Sequence, residues 1–76
     1  MAMNLTQYIG EPVSGYESSP AHTARFIANE IHKRSGSWPQ SIHQSRGYAY
    51  RVVLQDGRRV LVNVAFGPLS LTIAQD

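Results

Sequence analysis

Asp56-Gly57 lies between two runs of β-forming residues, GYAYRVVL at 47–54 and RRVLVNVAF at 58–66. An Asp-Gly pair in that setting is a strong hairpin signal, because glycine takes up the positive φ of a tight turn at no steric cost. The pair also fixes which side chains share a face. If Asp56 and Gly57 alone made the turn, Leu54 would oppose Arg59 and Arg51 would oppose Val62, mixing charge into both faces. If Gln55-Asp56-Gly57 form a three-residue loop with Gly57 left-handed, Val52 opposes Val60, Tyr50 opposes Val62 and Tyr48 opposes Val64. One face then holds Tyr48, Tyr50, Val52, Leu54, Val60, Val62, Val64 and Phe66. The other holds Ala49, Arg51, Val53, Arg59, Leu61, Asn63 and Ala65. A one-residue slip moves every side chain to the opposite face, so the cleaner segregation is the expected register.

The remaining elements follow from caps and periodicity. Ser19-Pro20 opens a helix expected over 20–35, since serine accepts a bond from a free N–H and proline suits the first helical position. Ala24, Ile27, Ala28 and Ile31 form a narrow apolar stripe on it, with Phe26 nearly opposite. Lys33 and Arg34 complement the negative end of its dipole, and Ser35-Gly36-Ser37 stops it. Residues 41–45 read as a short strand or an approach loop. Gly67-Pro68 forces a turn, after which Leu69 to Ala74 alternates with period two. Residues 1–19 read as an irregular arm. Asn4 there can cap one helical turn that carries Leu5, Tyr8 and Ile9 and stops at Gly10. The fold class is α+β: one domain over 1–76, with one helix on one face of a three- or four-stranded antiparallel sheet over 41–76, in α-β-β-β order.

Seventy-six residues give a thin core, because so small a domain buries only about 60% of the surface its unfolded chain exposes. Without cysteine, neither a disulfide nor a thiolate zinc site supplements it. No basic region followed by an apolar run marks the N-terminus, and no apolar stretch reaches the roughly 20 residues of a membrane span, so a cytoplasmic location is expected. Charge is uneven. Glu11, Glu17 and Glu30 outweigh Arg25 in residues 1–30, whereas Lys33 and five arginines outweigh Asp56 and Asp76 in residues 31–76. Arginine favours planar, bidentate contacts with carboxylate or phosphate.

Catalytic patterns are missing from the sequence. His22 and His32 differ by about 80° and nearly three turns on the helix, so they do not share a metal. No His-x-His, His-Glu-x-x-His, serine elbow or glycine-rich phosphate loop is present. Ordinary surface histidines, no cofactor, no metal and no enzymatic activity are the expectation. Tyr48 and Tyr50 flanked by Arg46 and Arg51 raise a base-stacking sheet, which the preferred register argues against by turning both rings toward the helix. Arginine beside apolar groups on the outer sheet face is the mixture enriched in protein interfaces. Arg51, Arg59, Asn63, Leu61 and Val53, with Phe26 on the helix, are therefore the candidate partner-binding residues, although scattered aliphatics on a surface and a Phe26 covered by the arm are the plainer readings.

In size, single α+β domain and lack of catalytic motifs, the chain resembles the short cysteine-free proteins that bacteriophages encode to disable host machinery, anti-CRISPR proteins among them. The likeness is one of general character and carries over no site residue. It implies a non-enzymatic inhibitor that sterically occupies a host protein or ribonucleoprotein surface. The alternative is a small basic nucleic-acid-binding protein using Arg46, Arg51, Arg58 and Arg59. The uncharged C-terminal strand at a sheet edge adds the expectation of a homodimer through that edge.

Overall fold

The computed structural model describes residues 3–10, 19–66 and 69–75, with the backbone alone at 66, 69, 70 and 75. Its elements run β1 (Met3–Asn4), a 3-10 turn (Thr6–Tyr8), α1 (Pro20–Ser35), β2 (Ser41–Arg46), β3 (Ala49–Val53), β4 (Arg59–Phe66) and β5 (Leu69–Gln75). The five strands form one antiparallel sheet in the order β1-β2-β3-β4-β5. The class is the expected α+β, but the strand count exceeds the three or four expected. Residues 41–46 are a full strand, and Met3 and Asn4 add another by pairing with Gln44 and His43. Two residues carry no readable alternation; β1 forms because Leu5 behind it is buried and its N–H bonds the Ile42 carbonyl at 2.8 Å. The expected turn at Gly67-Pro68 and most of the 1–19 arm lie outside the described residues.

The β3–β4 connection is the three-residue loop. Val52 opposes Val60 and Tyr50 opposes Val62. The Leu54 N–H bonds the Arg58 carbonyl at 2.8 Å, and the Gly57 N–H bonds the Leu54 carbonyl at 3.0 Å. Gly57 has φ 90°, a left-handed value that β-branched side chains resist. Asp56 stiffens the loop by accepting from the Arg58 N–H at 3.0 Å and from Arg58 Nε at 2.7 Å.

Helix α1 forms for the reasons its ends announce. Ser19 Oγ accepts from the His22 N–H at 3.2 Å, Pro20 occupies the first turn, and Gly36 at φ 81° returns its N–H to the His32 carbonyl at 2.8 Å. The stripe of Ala24, Ile27, Ala28 and Ile31 is buried against Ile42, Tyr50, Val52, Val62 and Val64. Two alanines let the helix backbone approach the strands closely, and each fully buried isoleucine contributes about 1.5–3 kcal/mol. Leu5 joins the same cluster, with Tyr8, Ile9, Trp38, Leu54, Val60 and Leu71 packed around it.

Three expectations about individual side chains need correction. Tyr48 is not in the core: it stands 59% exposed, whereas Tyr50 is 1% exposed. The β2–β3 ladder shifts register between Gln44 and Arg46, and Tyr48 belongs to the turn after Gly47 (φ 50°); its carbonyl still accepts the Val64 N–H at 3.0 Å, but its side chain is not packed in the core. His22 is not a surface histidine but is 3% exposed, on the first turn of α1. His32 and His43 are half-buried rather than freely exposed. No helix among the described residues is long and apolar enough to cross a membrane.

Candidate functional site

The helix occupies one face of the sheet, and on the opposite face strand alternation displays a different set of residues. Directly opposed residues of an antiparallel pair point to the same side, so the register defines rows across that face. One row is Asn4, His43, Arg51, Leu61 and Ala74; a second is Ser41, Val53 and Arg59; a third is Ala49, Asn63 and Thr72. Arg51 opposite Leu61 and Val53 opposite Arg59 make a four-cornered patch. The two guanidinium-bearing positions are diagonal neighbours in it, about 7–8 Å apart at the backbone.

Arg51, Arg59 and Asn63 are exposed, and Val53 and Leu61 are half-buried, their aliphatic surface partly covered by their neighbours. No acidic residue occupies these rows among the described residues. Five of the six expected binding residues are thus brought to one face. Phe26 is not: it lies half-buried on α1, across the sheet from them. His43 was not singled out for this face, although the alternation of Ser41, Ile42 and His43 carries the signal; it stands beside Arg51 in the register.

The arginines of the basic half are not equivalent. Arg58 is drawn into the turn by Asp56, and the bond from the Arg58 backbone N–H, more than the guanidinium, holds the exposed Asp56 carboxyl below its ordinary range. Arg34 sits 3.8 Å from Glu30, which also meets Lys33 at 3.4 Å. Arg25 lies over the Tyr8 ring at 5.2 Å, a cation–π contact joining helix to arm. Arg46 is exposed at the end of β2 beside the exposed Tyr48.

Two side-chain pairs that the sequence did not reveal fasten the scaffold behind this face. His32 stacks on Trp38 with ring centroids 4.0 Å apart and planes 15° from parallel, closing the helix onto the connection to β2. Burial raises the Tyr50 hydroxyl above its ordinary pKa, against the opposing pull of its hydrogen bond with the Thr23 side chain. Thr23 Oγ1 in turn donates to the Ser19 carbonyl at 3.0 Å. Among the described residues, no group of three or more His, Asp or Glu side chains could hold a metal ion. Comparison with protein-family models, curated proteins and solved structures finds no match to the chain.

Proposed function

We propose that the protein is a non-enzymatic binding module whose outer sheet face docks on another protein, and that it works in a host cytoplasm as an inhibitor of the anti-CRISPR kind. The observation that carries this reading is the patch of Arg51, Leu61, Val53 and Arg59 on the face opposite the helix. Its partner presents carboxylates between apolar side chains, on a host protein or a ribonucleoprotein, and inhibition follows from occupying that surface. Buried arginine–carboxylate pairs and aliphatic contacts together give both orientation and affinity.

Nucleic-acid binding is the second reading, and the exposed Tyr48 next to Arg46 is the specific feature in its favour. One ring at a hairpin tip gives a single stacking position rather than a platform, since Tyr50 is buried.

The test compares wild type with Arg51→Glu/Arg59→Glu as baits in a bacterial lysate, with and without nuclease and across a salt series. Exposed substitutions shift stability by under about 0.5 kcal/mol each, so the double variant should melt with wild type. The expected result is a nuclease-resistant partner, weakly dependent on salt, that the double variant loses. Retention by a folded double variant moves the site elsewhere, and a nuclease-sensitive capture that falls steeply with salt assigns the arginines to phosphate.

A further inference from the structure

Strand β5 pairs with β4 along its whole length, from Val60 opposite Gln75 to Phe66 opposite Leu69, and no described strand lies on its other side. Its seven residues, LSLTIAQ, contain neither charge nor proline and extend for about 24 Å. Monomeric proteins ordinarily guard such an edge. The inner face beside it is also short of cover. A cleft of about 140 Å³ opens between the C-terminal end of α1 and strands β3 to β5, lined by Ile31, Arg34, Ser35, Leu54, Val60 and Ile73. Ile73 forms its wall on the edge strand and is 38% exposed.

We propose that the occupant of this edge is a second copy of the same chain, paired β5 to β5 in antiparallel fashion about a two-fold axis normal to the sheet. The register follows from parity. For both clefts to lie on the same side of the joined sheet, residues that meet must both be odd-numbered or both even-numbered, since side chains alternate along a strand. Only the arrangement with Thr72 opposite Thr72 then pairs all seven residues. It brings Leu71 of the second copy opposite Ile73, at the edge-side wall of the cleft, and so covers apolar surface on both chains. Self-pairing usually fails where like charges meet across the axis. Here none do, because the strand is uncharged and Arg34 at the cleft rim is balanced by Glu30.

The area sets the strength. Edge pairing alone buries a strip of about 24 by 10 Å on each chain, roughly 500 Å² in total, against about 1,200 Å² or more for stable interfaces. The cleft contact has to supply the rest, and a dissociation constant in the micromolar range suits such an interface. The paired sheet would carry two Arg51–Arg59 patches on one surface, but the dimer stands or falls on purified protein alone, independently of any foreign partner.

Light scattering at high micromolar concentration should return twice the chain mass, falling toward the monomer on dilution. Thr72→Cys should form a disulfide-linked dimer on mild oxidation, because opposed residues sit about 4.5–5.5 Å apart, within disulfide reach, and the chain has no other cysteine. Ala74→Cys should not, since its two copies would stand four residues apart along the strands. Thr72→Lys, exposed in the single chain, should return a folded monomer as two like charges face each other. A monomeric mass at high concentration overturns the proposal, and so does cross-linking of Ala74→Cys as efficient as that of Thr72→Cys. A monomer that instead pairs with a foreign strand gives the edge a different occupant and equally overturns it.

Discussion

At one edge of the sheet the described part of β1 is Met3 and Asn4, after which the chain turns inward through buried Leu5, whereas at the other β5 continues for seven residues with no described strand on its far side. The first edge is blunted and capped. Asn4 Oδ1 accepts the Thr6 N–H at 2.9 Å, Tyr8 and Ile9 pack on the core, and Arg25 of the helix reaches the Tyr8 ring. The second edge has Ile73 partly bare above a cleft. One helix is too narrow to cover five strands, and it settles over the side where Leu5, Tyr8 and Ile9 complete the core. Stability therefore concentrates around Ile27, Ile42, Tyr50 and Val52, while Ile73 on β5 is 38% exposed.

Large-to-small substitutions measure this asymmetry most directly. Ile27→Ala should destabilise by about 2–5 kcal/mol, as expected for a fully buried aliphatic, whereas Ile73→Ala in dilute protein should cost under about 1 kcal/mol. Equal losses in denaturant titrations would mean that the β5 side is as well packed as the other and would break the comparison. Next in size, Gly57→Val should cost at least about 1 kcal/mol, because a β-branched side chain opposes the left-handed turn. An unchanged melting midpoint there would detach the register from the turn.

A smaller effect lies in the alkaline range, on the well-packed side. Tyr50 has its hydroxyl pKa raised above the ordinary value of 10.0 by burial. The folded state then holds its proton to higher pH than the unfolded chain does. That contribution is complete below pH 10 and is lost as pH rises through the folded value. Thermal melts between neutral pH and pH 11 should show a loss that Tyr50→Phe reduces; a loss that Tyr50→Phe leaves unchanged would take the sensitive hydroxyl away from Tyr50.

Sequence reading succeeded where a local rule and the tertiary fold agree. The Asp56-Gly57 turn, the Ser19-Pro20 start and the alternation of β5 each follow from chemistry confined to a few neighbouring residues. It failed where the decisive partner is distant. Met3 and Asn4 become a strand only because Ile42 and the core receive Leu5. His22 is buried by the way the helix meets the rest of the chain, which no spacing within the helix announces. Tyr48 kept the right parity, and its carbonyl still accepts the Val64 N–H, yet its ring left the core because it sits in the turn at Gly47, where the β2–β3 register shifts. The outer face was legible as a set of residues, since it is the complement of the core pattern. Its rows, and the place of His43 in them, required the pairing of β2 with β3.

Positions 49, 51, 53, 59, 61 and 63 make the outer face, and Tyr50, Val52, Val60, Val62 and Val64 belong to the core. Two independent messages are thus interleaved in one stretch of chain. Arg51, Val53, Arg59, Leu61 and Asn63 can be exchanged one at a time to change the surface while the even-numbered residues keep the fold. The arrangement has a single point of failure. Removing or adding one residue between Gln55 and Gly57 would demand a different loop or slip β4 against β3, and a slip mixes charge and valine into both faces, so the short turn is where this surface is least open to redesign.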